Sequence, residues 1–290
     1  MGTRKPCTAT ALTLALLCLS FGLVGCAGVG DAGDATLTGT ALERAQRVLG
    51  AEPTGVAGQV VGRGYMVVAN DADYAPQSSV DETTGELVGF DVDVAKKVGE
   101  ILGLEVRFKN PDWEAVPTSL DQGRVDVSIG SMPITPQFDK VVDFTEPYYH
   151  APAQVFVKQG GPQIGGVDDL AGKKVGVGIA TTYYDHLKRN SDAIVKTYAT
   201  GTDAYPDLLS GKLDFVLTAG PTGQQAILEG QPFQSSGKPL HYEDLGFAVA
   251  EGEVDWVKLL DHALDVMRGD GSLSDLSKKW YGGLDLTVTG

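Results

Sequence analysis

The sequence predicts an α/β protein with mostly parallel sheets, and two observations carry this prediction. Short apolar runs alternate with amphipathic segments along most of the chain, and glycine, asparagine or aspartate separate them. Strict alternation of strands and helices is typical of parallel α/β sheets. The chain has 290 residues, of which 42% are hydrophobic and 21% charged, and is long enough for one large domain or two of average size.

The first predicted strand is the apolar run Tyr65–Ala69, which ends at Asn70. A helix with Asp91 as its N-cap follows and ends at Gly103. We interpret Asp91 and Asp93 as capping residues, because acidic groups stabilise a helix N-terminus. The same alternation then predicts a strand over 104–108, a helix over 113–121 and a strand over 125–129.

The second part of the chain repeats the pattern. Thr135 is expected to cap a helix that has Pro136 in its first turn, and another helix is expected to begin near Thr182. The remaining predicted strands are 174–178, 194–198 and 214–217, and the remaining helices are 202–210, 255–268 and 272–280.

The first 25 residues have the pattern of a secretory signal peptide. Arg4 and Lys5 precede an apolar stretch over 9–24, which is shorter than the roughly 20 residues that span a bilayer. Residues 23–26 end in Cys26 and resemble the bacterial lipobox, in which the cysteine is lipidated and becomes the first mature residue. We expect a lipid-anchored protein on the outer face of the cytoplasmic membrane, periplasmic or extracellular; an ordinary cleaved signal is the alternative.

Residues 26–59 are rich in Gly, Ala, Thr and Asp and show one short helical pattern, over 41–49. We expect this segment to be a flexible tether, because such a composition buries little apolar surface.

Charge and cysteine content exclude several kinds of function. The formal net charge of −15 disfavours a nucleic-acid partner. The cysteines are Cys7, Cys18 and Cys26, so the body of the chain can hold neither a disulfide framework nor a thiolate zinc site. The four histidines lack metal-ligand spacing and no nucleotide-binding fingerprint is present, so we expect no metal and no cofactor.

Six stretches, taken in order, resemble the amino-acid-binding family of bacterial extracellular solute-binding proteins, the receptors of ABC importers. They are residues 70–76, 85–93, 120–126, 134–149, 169–177 and 269–272. The resemblance runs from about residue 64 to residue 283 and depends on the order and spacing of the stretches.

This resemblance implies the two-lobed type II periplasmic-binding-protein fold, with hinge strands near 151–154 and 245–248. Lobe 1 would comprise residues 60–152 and 247–290, and lobe 2 residues 153–246. A ligand between the lobes would favour the closed form without any chemical conversion. The implied partners are a small solute and the permease subunits of an ABC importer, and we expect a monomer and no enzymatic activity.

The pocket positions depart from the family. Relatives hold the ligand α-carboxylate with an arginine and its α-ammonium with an aspartate, whereas this chain has Phe138 and Ala219 at those positions. Pro133 also lacks the N–H that relatives direct at the carboxylate. Losing both charged partners would cost roughly 10³-fold in affinity. We therefore expect a small polar ligand that is not a standard α-amino acid; the alternative is an ordinary amino-acid receptor in which Lys140 or Arg124 supplies the carboxylate clamp.

The predicted ligand-binding residues are mainly aromatic, acidic or hydroxylic. They are Asp71, Tyr74, Trp113, Ser131, Pro133, Phe138, Thr181, Thr182, Tyr183 and Ala219. Aromatic faces with a carboxylate suit an organic cation, whereas a helix N-terminus at Thr182 favours an anionic group, so the charge of the ligand stays open. A second hypothesis for the function is a tethered sensor with the same two lobes. An elimination enzyme of the dehydratase type on the same fold is a third, but it would need the missing carboxylate clamp.

Overall fold

The computed structural model describes residues 38–288. The predicted signal peptide over 1–25 and the predicted lipidation site Cys26 lie outside the described residues. Within residues 38–288, no helix combines the length and apolarity needed to cross a membrane.

The described chain alternates strands and helices, as the sequence predicts. The strands are β1 Tyr65–Ala69, β2 Asp73–Tyr74, β3 Ser78–Val80, β4 Leu87–Val88, β5 Glu105–Lys109, β6 Val127–Pro133, β7 Asp143–Phe144, β8 Tyr149–Lys158, β9 Lys174–Gly178, β10 Ile194–Tyr198, β11 Phe215–Ala219, β12 Phe233–Ser235 and β13 His241–Val249. The α-helices are α1 Ala41–Leu49, α2 Gly55–Arg63, α3 Phe90–Leu102, α4 Val116–Asp121, α5 Thr182–Asn190, α6 Tyr205–Leu209, α7 Gly220–Leu228, α8 Val254–Gly269 and α9 Ser272–Trp280. Short 3-10 turns occupy Trp113–Ala115, Phe138–Lys140, Val167–Leu170 and Thr202–Ala204.

One large sheet runs through the molecule in the order β10-β9-β11-β8-β13-β6-β1-β5. Strands β1, β5 and β6 are parallel to one another at one end, and β9, β10 and β11 are parallel at the other. Between these two groups, β8 and β13 pair with each other in antiparallel register, with Glu243 opposite Ala151 and Leu245 opposite Tyr149. Strands β2, β3 and β4 form a separate small antiparallel sheet.

The hydrophobic core is divided at β8 and β13. Ala151 belongs to a core built by α1, α2, α3, α8 and β1, whereas Ala153 belongs to a core built around β9, β11 and α5. Leu245 joins the first core, and Leu240 packs against the second. Ala151 and Ala153 are two residues apart and lie on the same face of β8, so the strand itself passes from one core to the other within this short stretch. The lobe boundaries near residues 152 and 247 stay a prediction.

The flexible-tether prediction for 26–59 is wrong from Ala41 onward. Helices α1 and α2 are folded and pack against α8, with Ala45, Ala57 and Val60 buried in the first core. Thr40 and Glu43 form a reciprocal capping box at the start of α1. Ala45, Ala57 and Val60 bury apolar surface in the core. This burial stabilises α1 and α2, which the segment would not form in isolation.

The predicted capping role of Asp91 and Asp93 is also wrong. The N-cap of α3 is Gly89, and neither carboxylate caps the helix. Asp91 is fully buried and accepts hydrogen bonds from Ser131 and Tyr148, and Asp93 accepts from Lys279 and Trp280. Both carboxylates therefore form hydrogen bonds with side chains from other parts of the fold and not with the N-terminus of α3.

The helix predicted to open at Thr135 is reduced to the 3-10 turn Phe138–Lys140. Thr135 still accepts a hydrogen bond from the backbone N–H of Phe138, so the local cap forms without a helix behind it. Two other predictions are confirmed: α9 begins at Ser272 and ends at Trp280, and α5 begins at Thr182, with Thr181 as its N-cap.

Candidate ligand-binding site

A cavity of about 540 Å³ lies where the two groups of parallel strands meet at their carboxyl ends. Parallel strands bring the loops after them to one edge of a sheet, and open α/β sheets bind ligands at that edge. The cavity has two walls and a floor. The first wall consists of lining residues around β1, β5 and β6, the second wall of those around β9, β10 and β11, and the floor of residues from β8 and β13.

The walls differ in composition. The first wall contains Asn70, Asp71, Asp73, Tyr74, Asn110, Pro111, Asp112, Trp113, Glu114, Val116, Ser128, Gly130, Ser131, Pro133 and Phe138. The second wall contains Gly178, Ile179, Ala180, Thr181, Thr182, Tyr183, Ala199, Thr200, Gly201, Leu217 and Thr218, and the floor contains Tyr149, Ala151, Glu243 and Leu245.

The cavity is lined by negative charge alone. Its ionisable side chains, apart from tyrosines, are the carboxylates of Asp71, Asp73, Asp112, Glu114 and Glu243. Among the lining residues within 38–288 there is no Lys, Arg or His. Such a surface attracts cations and repels anions, and low-dielectric walls concentrate the field inside a cleft.

Aromatic rings form much of the apolar lining. Trp113 and Phe138 meet edge to face in the first wall, with ring centroids 6.2 Å apart and an interplanar angle of 83°. Trp113 is 38% exposed, so its ring is accessible from solvent. Tyr74 in the first wall and Tyr183 in the second bring two further rings to the cavity.

A buried hydrogen-bond network fixes the first wall to β8. Ser131 donates to Asp91 at 2.8 Å, and the hydroxyl of Tyr148 donates to the other carboxylate oxygen at 2.6 Å. Tyr149 in turn donates to the Ser131 hydroxyl at 2.6 Å. Burial raises the pKa of Asp91 to about 7, although the hydrogen bonds from Tyr148 and Ser131 act in the opposite direction.

Ser131 has a left-handed backbone, with φ of 58°, which non-glycine residues rarely adopt. Its backbone N–H donates to the hydroxyl of Tyr148 at 3.0 Å, and its side chain joins the same network. The surrounding hydrogen bonds thus hold Ser131 in a sterically unfavourable backbone conformation at the cavity wall, as is common at binding sites.

The second wall is neutral and meets the floor at Glu243. The Thr181 side chain accepts from the backbone N–H of Tyr184 and caps α5, while the Thr182 hydroxyl donates to Glu243. Burial, followed by the charge of Glu243, raises the pKa of both Tyr74 and Tyr183. The carboxylate of Glu243 therefore lies near both phenols and beside the N-terminus of α5, a position where an anion is favoured.

The structure brings most of the predicted ligand-binding residues together. Those that line the cavity are Asp71, Tyr74, Trp113, Ser131, Pro133, Phe138, Thr181, Thr182 and Tyr183. Ala219 does not: it is 1% exposed and pairs with Ala153 in the sheet, and the preceding residue Thr218 lines the cavity instead. Leu217 and Thr218 on β11 both line the cavity, so the lining ends one residue before Ala219.

Neither residue considered as a substitute carboxylate clamp lines the cavity. Arg124 is exposed, and its backbone carbonyl accepts a hydrogen bond from Lys109. Lys140 is also exposed, in the 3-10 turn after Phe138. The first wall therefore presents Phe138 and Pro133 without a basic side chain beside them.

Sequence reasoning missed two lining residues that carry polar groups deep in the cavity. Glu243 lies two residues before Leu245 on β13, so strand periodicity places both on the floor. Asn70 directly follows β1 and is 5% exposed. The alternation in β13 and the position after a buried strand were the signals that could have identified them.

Comparison with known proteins identifies the family. Residues 66–283 match the sequence profile of the bacterial extracellular solute-binding proteins, family 3. The chain belongs to this family. Its members include relatives named as binding components of amino-acid transporters, which is a transport role and not an enzymatic one.

Individual relatives agree with this assignment. The L-cystine-binding protein TcyJ of Escherichia coli is 33% identical over 231 residues, which are 79% of this chain and 86% of TcyJ. An ancestral arginine-binding protein bound to arginine has a TM-score of 0.68 and 33% identity, over 76% of this chain and 99% of that one. The ancestral amino acid-binding protein AncCDT-1, a precursor of cyclohexadienyl dehydratase, has a TM-score of 0.68 and 30% identity, over 77% of this chain and 97% of that one. These structures confirm the predicted two-lobed type II fold.

Proposed function

We propose that this protein is the solute-binding component of an ABC importer and that its ligand is a small organic cation without an α-carboxylate. One observation carries the ligand class: five carboxylates line the cavity, and no basic side chain accompanies them within residues 38–288. Family membership supports the transport role, since the relatives include arginine-, glutamine- and cystine-binding proteins.

The first wall supports the absence of an α-carboxylate from the ligand. A carboxylate in this cavity would lie among like charges and would find Phe138 and Pro133 at the positions where the family resemblance places its donors. An unpaired buried charge costs several kcal/mol, so an ordinary amino acid would bind weakly. An organic ammonium would instead meet Trp113 and Tyr74, and each well-placed ring adds about 0.5–2 kcal/mol when the cation is desolvated.

The ligand class is tested by isothermal titration of the full chain in detergent. We expect measurable binding of simple amines or quaternary ammonium compounds and none of small carboxylates. Tight binding of L-cystine, L-glutamine or another standard amino acid would contradict the proposal. Recovery of the bound solute unchanged after long incubation is the expected result for a receptor, whereas a converted product would favour an enzyme related to the dehydratase lineage.

The proposal includes a lipid anchor at Cys26, which the sequence pattern of residues 23–26 supports. We expect mass spectrometry of the membrane fraction to find an N-terminal diacylated Cys26, and Cys26→Ala to release the protein from the membrane. Cys18→Ala is the matched control and should leave the anchor in place. An unmodified protein in the soluble fraction would contradict the anchor.

A further inference from the structure

Glu243 is a carboxylate held deep in the cavity, and among residues 38–288 no basic side chain hydrogen-bonds to it. Its side chain is 9% exposed, and the nearest basic atom, Nε2 of His241, lies 3.6 Å from Oε1, beyond hydrogen-bond distance. Thr182 supplies one hydroxyl donor. A buried carboxylate is stabilised by a charged donor far more than by a hydroxyl, so this site favours a cation from outside the chain.

Asn70 gives a second and independent sign of a missing donor. Its Nδ2 donates to the carbonyl of Ile129 at 2.7 Å, which fixes the orientation of the amide. Its Oδ1 is buried, and no donor among the described residues reaches it. Asn70 lines the cavity and is 95% buried, and a buried acceptor without a partner costs free energy until a ligand N–H occupies it.

These two acceptors belong to different parts of the cavity. Glu243 lies on the floor, on β13, whereas Asn70 and its neighbour Asp71 follow β1 in the first wall. Three more carboxylates, Asp73, Asp112 and Glu114, are exposed on the same wall. A ligand with a single positive charge would neutralise one of these carboxylates and leave the others without a counter-charge.

We infer that the ligand is a linear di- or polyamine, with one ammonium bound by Glu243 and a second bound by Asn70 and Asp71. This inference rests on the proposed function and narrows it, because it requires two charged ends where the proposed function requires one. The aromatic rings of Tyr74 and Tyr183 lie close to Glu243 and suit the alkyl chain and the inner ammonium.

The test compares amines that differ by one charge, using the full chain in detergent and titration calorimetry. 1,4-Diaminobutane and spermidine are the probes, and butylamine is the matched monoamine. We expect the diamine to bind at least about thirtyfold more tightly than butylamine, which is the ratio that one additional charged hydrogen bond of about 2 kcal/mol provides. Equal affinity of the two would overturn the two-ended ligand but leave the organic-cation function intact, whereas amino-acid binding without amine binding would overturn both.

Variants at each end test the assignment of residues. Glu243→Gln and Asp71→Asn are each expected to reduce the diamine-to-butylamine affinity ratio toward one. Asp244→Asn is the control, because it removes the same charge from the adjacent residue of β13, whose carboxylate faces away from the cavity and contacts His150 at 2.6 Å. If Glu243→Gln does not fold, which thermal unfolding would reveal, Asp71→Asn alone decides the outcome. An unchanged ratio in a folded variant would overturn the role of that residue.

Discussion

Both walls of the cavity are built at the carboxyl ends of parallel strands, yet the first wall is acidic and the second wall is uncharged. The first wall holds four carboxylates and the exposed ring of Trp113, whereas the second wall, Tyr183 excepted, is built of small or aliphatic residues and threonines. Gly201 illustrates the second wall: a Cβ there would come within 2.6 Å of the Thr218 hydroxyl. The difference predicts that substitutions in the first wall change ligand selectivity more than substitutions in the second wall.

The largest expected effect comes from placing a positive charge in the first wall. Phe138→Arg would add a guanidinium beside Trp113, among the cavity carboxylates. We expect affinity for an organic cation to fall by about 10²-fold or more, because like charges in a desolvated site repel by several kcal/mol. Titration calorimetry measures the change. Val141→Arg, which adds the same charge at an exposed residue outside the cavity, should have little effect, and equal losses in both variants would break the distinction between the walls.

A second expected effect concerns the stability of the first wall and its dependence on pH. The folded protein holds the proton of Asp91 more tightly than the unfolded chain does, because burial raises its pKa from 3.8 to about 7. Ionisation of Asp91 in this range therefore destabilises the fold as the pH rises. We expect the free energy of unfolding of Asp91→Asn, which cannot ionise, to rise by about 4 kcal/mol relative to that of the wild type between about pH 4 and pH 8.

Urea unfolding of both proteins across this range measures the difference. Asp93→Asn, on the same helix, is the control and should show no such gain, because the Asp93 carboxylate is already bonded to Lys279 and Trp280. A difference between Asp91→Asn and the wild type that stays constant with pH would show that Asp91 does not titrate in this range.

The smallest of the three effects tests the aromatic part of the first wall. Trp113→Ala should weaken binding of an organic cation by about tenfold or somewhat more, the amount that one cation–π contact provides. The fold should stay intact, since Trp113 is 38% exposed. Tyr242→Ala removes an exposed ring outside the cavity and is the control. Unchanged affinity of Trp113→Ala would remove this ring from the site.

The order of strands and helices could be predicted because buried strands of a parallel sheet appear as short apolar runs. Tyr65–Ala69 and Val175–Val177 are examples, with their side chains largely covered on both faces. Helix α2 was missed for the opposite reason, because it contains Gly55, Gly58 and Gly62, and glycine disfavours helices. Gly55 has φ of 55° and lies against Glu253, so close packing with the start of α8 determines this segment and local propensity does not.

The site was predicted best where its residues follow the ends of apolar strands. Asp71 and Thr182 were found in this way. Glu243 was missed because His241–Asp244 is mostly polar and does not resemble a strand, although pairing with β8 places it in one. Asp91 could not be assigned from sequence, because a first-turn aspartate resembles a cap, and only the fold shows that Ser131 and Tyr148 reach it.

The docking of α1 onto α3 and α8 extends the folded part of the protein towards its N-terminus. Arg44 donates to the carbonyls of Glu100 and Ile101 at the end of α3, so the folded unit begins at α1 and not at the family-matched region. In the proposed lipoprotein, the 14 residues 27–40 would connect Cys26 to α1, and a chain of this length can span at most about 50 Å. The proposed anchor would therefore keep the binding site close to the membrane that holds the proposed permease.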